Sequence, residues 1–258
     1  MRIFIFYLLL FSSLTVFSQS SDTLNKTDSH GRKQGVWKKN YPNGVVRYRG
    51  RFVDDKPVGE FRYFNEEGKL KTVIIHALDG EHSFTRMYDD LGGLQATGYF
   101  LGQKKDSLWT MFDASGHKIA EEQYKNGIPE GRWAAYFAAD SVTAQIQMWK
   151  AGSRNGLYRE FFQTGSVKFE MNYADDKAQG VVQGWLPEGI LQFKGNYNNG
   201  KKDGEWLFYT IDGKLKKKEV YQNGAILTAE TYIKDETEEA VPIDPVNDPA
   251  NQPNPEGY

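Results

Sequence analysis

Apolar and polar residues alternate along most of this chain. Between residues 167 and 173, Val167, Phe169, Met171 and Tyr173 are separated by Lys168, Glu170 and Asn172. Leu191 to Tyr197 repeats the pattern, with apolar or small residues at every second position. Period two over seven residues describes a strand with one buried face. A shorter run precedes each of these, as in Gly204-Glu205-Trp206-Leu207-Phe208-Tyr209, and reads as a partner strand. Turn residues stand between the two: Pro42-Asn43-Gly44, Glu66-Glu67-Gly68, Pro187-Glu188-Gly189 and Asp212-Gly213. Glycine there supplies the positive φ that a tight hairpin requires. Asn126-Gly127, Asn199-Gly200 and Asn223-Gly224 mark a second kind of turn, joining one unit to the next. The predicted unit is a β-hairpin, and no helical period appears beyond the first residues.

The hairpins recur with a fixed period. Gly35, Gly59, Ser83, Ser107, Gly131, Gly156, Gly180 and Gly204 stand 24 residues apart, with a single spacing of 25. Nine residues after each anchor come Gly44, Gly68, Gly92, Gly116, Asp140, Gly165, Gly189 and Gly213. Asp is the least costly substitute for a turn glycine, since it tolerates left-handed φ better than most residues. Two residues after the anchors stand Trp37, Phe61, Thr85, Trp109, Trp133, Tyr158, Val182 and Trp206. Aromatic side chains also dominate five positions after the anchor (Phe64, Phe112, Phe161) and about seventeen after it (Phe52, Phe100, Trp149, Tyr197). All six tryptophans fall on these three positions. One hairpin cannot bury its own rings, so successive hairpins must pack on one another. The predicted fold is all-β: an elongated, twisted antiparallel sheet of about eight tandem 24-residue hairpins. Sixteen strands at ~4.8 Å would run for roughly 75 Å. The aromatics Trp37, Phe61, Trp109, Trp133, Tyr158 and Trp206 and the seven turn glycines are expected to be structural.

Tyr197-Asn198-Asn199-Gly200-Lys201-Lys202-Asp203-Gly204-Glu205-Trp206 resembles the MORN repeat, whose unit runs Tyr-x-x-Gly-x-x-x-x-Gly-x-Trp. Tyr124 to Trp133 fits the same pattern. The 24-residue spacing is similar to the bacterial MORN-variant group, some of whose members are antitoxins of toxin–antitoxin pairs. The resemblance covers about residues 31–232 and implies a scaffold or binding surface with protein or membrane-lipid partners. Ser83, Ser107, Thr85, His76 and Val182 depart from the pattern, and predict an irregular third unit. An export signal sits poorly with a cytoplasmic antitoxin.

The two ends differ in kind from the array. Met1 and Arg2 precede an apolar run, Ile3 to Phe11, and the uncharged stretch to Ser18 is 16 residues long. That is shorter than the ~20 residues that span a bilayer, so residues 1–18 read as a signal peptide cleaved after Ser18. An uncleaved anchor is the competing reading. The chain is expected to be extracytoplasmic (periplasmic, cell-surface or secreted), with no transmembrane segment once cleaved. Residues 19–30 form a lead segment, 31–232 the repeat domain and 233–258 a tail. The tail carries five prolines and seven acids against Lys234, and reads as a disordered acidic Pro-rich segment. Cysteine is absent, which excludes disulfides, thiolate sites and a lipid-modified cysteine anchor.

Catalytic signals are thin. The histidines are His30, His76, His82 and His117, and no two have helical zinc spacing. His76 holds an aromatic position and is expected to pack. Asp54-Asp55, Asp89-Asp90 and Asp175-Asp176 are read as turn residues, since they lack a calcium-loop pattern. No nucleophile elbow, phosphate loop or dinucleotide fingerprint is present. The expectation is a chain with no catalytic residues, cofactor or metal. A net charge of -2 argues against nucleic acid. The expected activity is a protein-binding or scaffolding module, and the alternatives are envelope glycan or lipid binding, or toxin neutralisation. Arg47, Arg49 and Arg51, and Lys216, Lys217 and Lys218, are positions where an acidic partner would be met, against the plainer reading of a solvated face.

Overall fold

The computed structural model describes residues 23–138 and 141–233. The signal peptide, Asp140 and the tail beyond Ile233 lie outside the described residues. Among these there is no helix, and twenty strands form one antiparallel sheet. Eight hairpins account for sixteen of them: Lys33–Asn40 with Val46–Val53, Lys56–Phe64 with Leu70–His76, His82–Tyr88 with Leu94–Leu101, Lys104–Phe112 with Lys118–Lys125, Gly131–Tyr136 with Thr143–Lys150, Ser153–Phe161 with Val167–Ala174, Lys177–Trp185 with Leu191–Asn198, and Gly204–Tyr209 with Leu215–Gln222. The other four have local causes. Ile128–Pro129 and Lys201–Lys202 continue the first strands of hairpins 5 and 8 across a bulge. Lys26–Thr27 and Ala225–Thr231 add an edge strand at each end. The sheet is open, since each edge strand pairs on one side only.

Each hairpin tip is built alike. The glycine nine residues after the anchor has φ between 78° and 87° at all seven glycine positions. Its N–H donates to the carbonyl three residues earlier, as Gly213 does to Thr210 at 2.9 Å. Short polar side chains hold the turn from within. The Asp113 carboxylate accepts from the N–H groups of Ser115 and His117, both at 2.9 Å. Turns between hairpins use paired positive φ, as in Asn126-Gly127 (52° and 84°) and Asn223-Gly224 (52° and 88°). Asp54-Asp55 and Asp175-Asp176 do the same work without glycine, at 51° and 66°, and 46° and 64°. Their carboxylates accept from the N–H of Lys33 and of Arg154, which accounts for these acid pairs as turn chemistry.

Where one hairpin meets the next, the ladder is interrupted. Arg49 pairs with Arg62 and Arg51 with Val58, so Gly50 faces the three residues Gly59, Glu60 and Phe61. The same irregularity recurs opposite Gly98, Met148 and Met171. In three of these four its first residue is the repeat's anchor, at φ 64° in Gly59 and 79° in Gly180; opposite Met148 it begins one residue earlier, at Asn155. Ser107 also adopts φ 56°, so the position demands this conformation even from a residue with a side chain. The bulge bends the strand and re-aims the residues after it. Between hairpins 2 and 3 the ladder runs from Thr72 to His76 without a shift, so the departures at Ser83 and Thr85 mark a join that lacks the bulge.

The side chain two after each anchor lies across the residue fifteen after the previous anchor, or sixteen at Gln147, where the unit carries one extra residue. Along one face this makes a single stripe: Trp37, Gly50, Phe61, Ile74, Thr85, Gly98, Trp109, Glu122, Trp133, Gln147, Tyr158, Met171, Val182, Gly195, Trp206, Glu219. Neighbours in the stripe exchange size. Phe61, Trp109 and Trp206 lie over glycines, and a Cβ built on Gly50, Gly98 or Gly195 would sit 2.2–2.3 Å from the ring. Where Met171 is the neighbour the next residue is only Val182, and where Ile74 is the neighbour it is Thr85. Phe61, Thr85, Trp109, Met171, Val182 and Trp206 are 0–2 % exposed although the sheet is one layer thick. Trp133, between Glu122 and Gln147, is less deeply covered.

Three further contacts close the stripe. The indole N–H of Trp109, Trp133 and Trp206 donates to a carbonyl of the preceding hairpin: Tyr99, Gln123 and Asn196. Rings seventeen after the anchor stand edge-on between successive stripe rings, as Phe52 does beside Trp37 (6.0 Å) and Phe61 (5.1 Å). Lys33, Lys105 and Lys202, each two residues before an anchor, lie over a pair of rings at 4.4–5.3 Å. Such edge and cation contacts each add ~0.5–1.5 kcal/mol beyond the area buried.

Two outcomes follow for stability. Gly98→Val must displace the Trp109 ring and is expected to cost about 3 kcal/mol, whereas Gly213→Val meets no neighbour and costs about 1–2 kcal/mol through its positive φ alone. Thermal or denaturant unfolding ranks the two, and equal losses would contradict the close-packed stripe. His76 packs edge-on to Phe61 at 5.1 Å, and burial holds its imidazole below the ordinary value. The folded state therefore favours the neutral ring, and stability falls as pH drops through the unfolded-state value of ~6.5. Melting between pH 5 and 7.5 is expected to depend less on pH in His76→Phe than in the parent.

Candidate functional site

The stripe consumes one face of the sheet, and the side chains between its members point to the other. On the first two hairpins that second face is cationic. Lys38 pairs in register with Arg49, and Arg49 with Arg62. Three positive side chains thus sit side by side on adjacent strands, at the separation where like charges repel. Arg47 and Arg51 extend the same face along their strand, by the alternation that hides Tyr48, Gly50 and Phe52. Glu60 is the nearby acid, and its carboxylate accepts from the Arg62 guanidinium at 2.6 Å. No carboxylate among the described residues pairs with Lys38 or Arg49. A shallow concavity of ≈ 290 Å³ lies here, lined by Val36, Arg49, Gly50, Arg51, Glu60 and Arg62.

Equivalent positions farther along are neutralised. Arg159 is directly opposite Glu170 and ion-paired with it. Lys218 pairs with Glu205 at 2.5 Å, and Arg132 with Glu121 at 3.6 Å. The uncompensated row is a property of the first two hairpins, not of the repeat. Beside it the face turns apolar. Ile75, Tyr99 and Leu108 are exposed, and the rings of Phe84 and Tyr99 lie 5.0 Å apart. Arg86 lies over Phe84 at 5.3 Å and carries positive charge into this patch.

The sequence-predicted site residues fall as follows. Trp37, Phe61, Trp109, Trp133, Tyr158 and Trp206 all join the stripe, and the turn glycines occupy the hairpin tips, away from the cationic row. The two basic triplets differ. Arg47, Arg49 and Arg51 form part of the cationic face, while Lys217 turns to the ring face and pairs with Glu219 at 2.6 Å. Sequence reading alone passed over Lys38 and Arg62, whose alignment with Arg49 depends on register, and over Gly50, Gly98 and Gly195. The recurrence of small residues fifteen after an anchor, inverse in size to the residue two after the next, is the signal that marks those glycines. No group of three His, Asp or Glu suited to a metal occurs among the described residues. His82 and His117 are exposed and bonded to Asp79 and Asp113 of their own turns.

Residues 33–54, 105–126, 154–175 and 202–223 match the MORN repeat variant. The chain carries MORN-variant repeats. The four matched segments are hairpins 1, 4, 6 and 8, and they share the basic residue over the rings, the positive-φ anchor and the aromatic after it. No curated protein matches the chain. Solved structures that match include TarM and a mutant of S. aureus TarM in complex with fondaparinux, alpha-GlcNAc-glycerol and UDP. Both are 13% identical to this chain, with TM-scores of 0.28 and 0.30 over 35% and 38% of it. The chain spans about a fifth of their length, 18% and 19%.

Replacing Arg49 by Glu places an acid between Lys38 and Arg62. Thermal melts at low salt are expected to show a gain of about 0.2–1 kcal/mol, shrinking as salt is added. A loss of stability would contradict the like-charge reading of this row.

Proposed function

We propose that this protein is a non-enzymatic, extracytoplasmic repeat module that binds an acidic protein partner through the second face of its first four hairpins. The reading rests on one observation: Lys38, Arg49 and Arg62 are aligned in register with Glu60 as the one acid bonded among them, whereas Arg159 and Lys218 farther along each hold a carboxylate of their own. Like charges placed in register cost stability, and an anionic partner turns that cost into affinity and orientation. Exposed Ile75, Tyr99 and Leu108 supply the apolar contact that a protein interface needs at its centre. Export is supported by the sequence alone, through the short apolar run before Ser18.

The test uses immobilised chain and its Arg49→Glu/Arg62→Glu variant, challenged with envelope extract, purified glycan and anionic vesicles. The expected result is retention of an acidic protein that is released by ~0.5 M salt and not held by the variant. Retention of glycan or vesicles alone would overturn the protein-partner reading. Mass measurement of the exported chain is expected to lack residues 1–18.

A further inference from the structure

The cationic face has a candidate occupant within the same sequence. Beyond Ile233 the chain carries Lys234 and then Asp235, Glu236, Glu238, Glu239, Asp244 and Asp248, a density of acid found nowhere in the array. The two features stand at opposite ends of the sheet. Ala225–Thr231 is the last strand, and the cationic row lies on the first two hairpins. About fifteen strand spacings of ~4.8 Å separate them, roughly 70 Å along the sheet. Glu239 lies six residues beyond Ile233 and reaches no farther than ~20 Å, and Asp248 no farther than ~55 Å. The acids of a given chain therefore fall short of its own row, measured along the sheet.

We infer that the row on the first two hairpins receives the acidic segment from Asp235 to Asp248 of a second copy, linking copies head to tail. This deepens the proposed function, because it takes the face as a binding site and names what fills it. Charge complementarity carries the pairing. Lys38, Arg49 and Arg62 offer three neighbouring cations, with Arg47 and Arg51 on the same strand face. Asp235, Glu236, Glu238 and Glu239 offer four acids within five residues. The concavity of ≈ 290 Å³ between Val36 and Arg62 is open and shallow, as a surface strip for an extended segment is, rather than a closed pocket. A contact in which donor and acceptor ends differ is heterologous and extends from copy to copy.

Light scattering and sedimentation of the purified full chain test this directly. In 50 mM salt the mean mass is expected to rise with protein concentration above that of one copy, and to return to one copy in 500 mM salt. Arg49→Glu/Arg62→Glu and Asp235→Asn/Glu236→Gln/Glu238→Gln/Glu239→Gln each alter exposed side chains, and thermal melts verify that both variants fold. Each is expected to be a single copy by itself. An equimolar mixture of the two restores a pair, because one supplies an intact acidic segment and the other an intact face, and that pair does not extend. A chain that stays single at every concentration, or association that both variants retain, overturns the inference. A single-copy chain that still retains an acidic protein from extract leaves the proposed function standing, whereas loss of both removes the two readings together.

Discussion

The structure depends on a side chain laid flat across a glycine. A one-layer sheet has no second layer to cover its apolar face, yet Phe61, Trp109 and Trp206 are nearly inaccessible. The cover comes from within the layer. A bulge at the anchor, as at Gly59 and Ser107, bends the following strand, and the residue two positions later swings over the previous hairpin. That motion needs room, which Gly50, Gly98 and Gly195 provide by having no Cβ. The remaining ring contacts, the indole hydrogen bonds and the lysines over ring pairs build on this placement. Burial is thus divided among neighbouring pairs instead of gathered in one centre, which is the physical meaning of a repeat architecture.

Much of this was legible in the sequence, because period, turn and alternation are local signals. The hairpins, the tip glycines and the shared register of Trp37, Phe61, Trp109, Trp133, Tyr158 and Trp206 all follow from spacing. The bulges do not, since they arise between hairpins and require knowing which residues oppose which. Twenty strands therefore replace sixteen, partly because the bulges split off Ile128–Pro129 and Lys201–Lys202. The third unit was flagged by Ser83 and Thr85, and it is the join that lacks an irregularity. Ser107 looked like a similar departure but takes the positive φ of its glycine equivalents. Side-chain type at an anchor is a weaker guide than the conformation the fold imposes.

The candidate site illustrates the same limit. Arg47, Arg49 and Arg51 were visible as cations at period two, and a solvated face explained them adequately. Register supplies Lys38 and Arg62 on either side of Arg49, and converts a charged strand into a row of like charges. The contrast with Arg159 and Glu170, or Lys218 and Glu205, separates this end of the array from the rest. The ring face is filled by the repeat itself, the other face is free to vary from hairpin to hairpin, and the proposed recognition belongs to that second face.

The central claim is that volume is exchanged between neighbours in the ring stripe. Met171 beside Val182 is the natural alternative to Gly98 beside Trp109. A double-mutant cycle built from Gly98→Met and Trp109→Val measures that exchange by chemical unfolding. Each single substitution is expected to destabilise the chain, and the combination to recover a coupling energy of about 1–3 kcal/mol. Strictly additive losses would mean that the two positions do not share space, and would contradict the account.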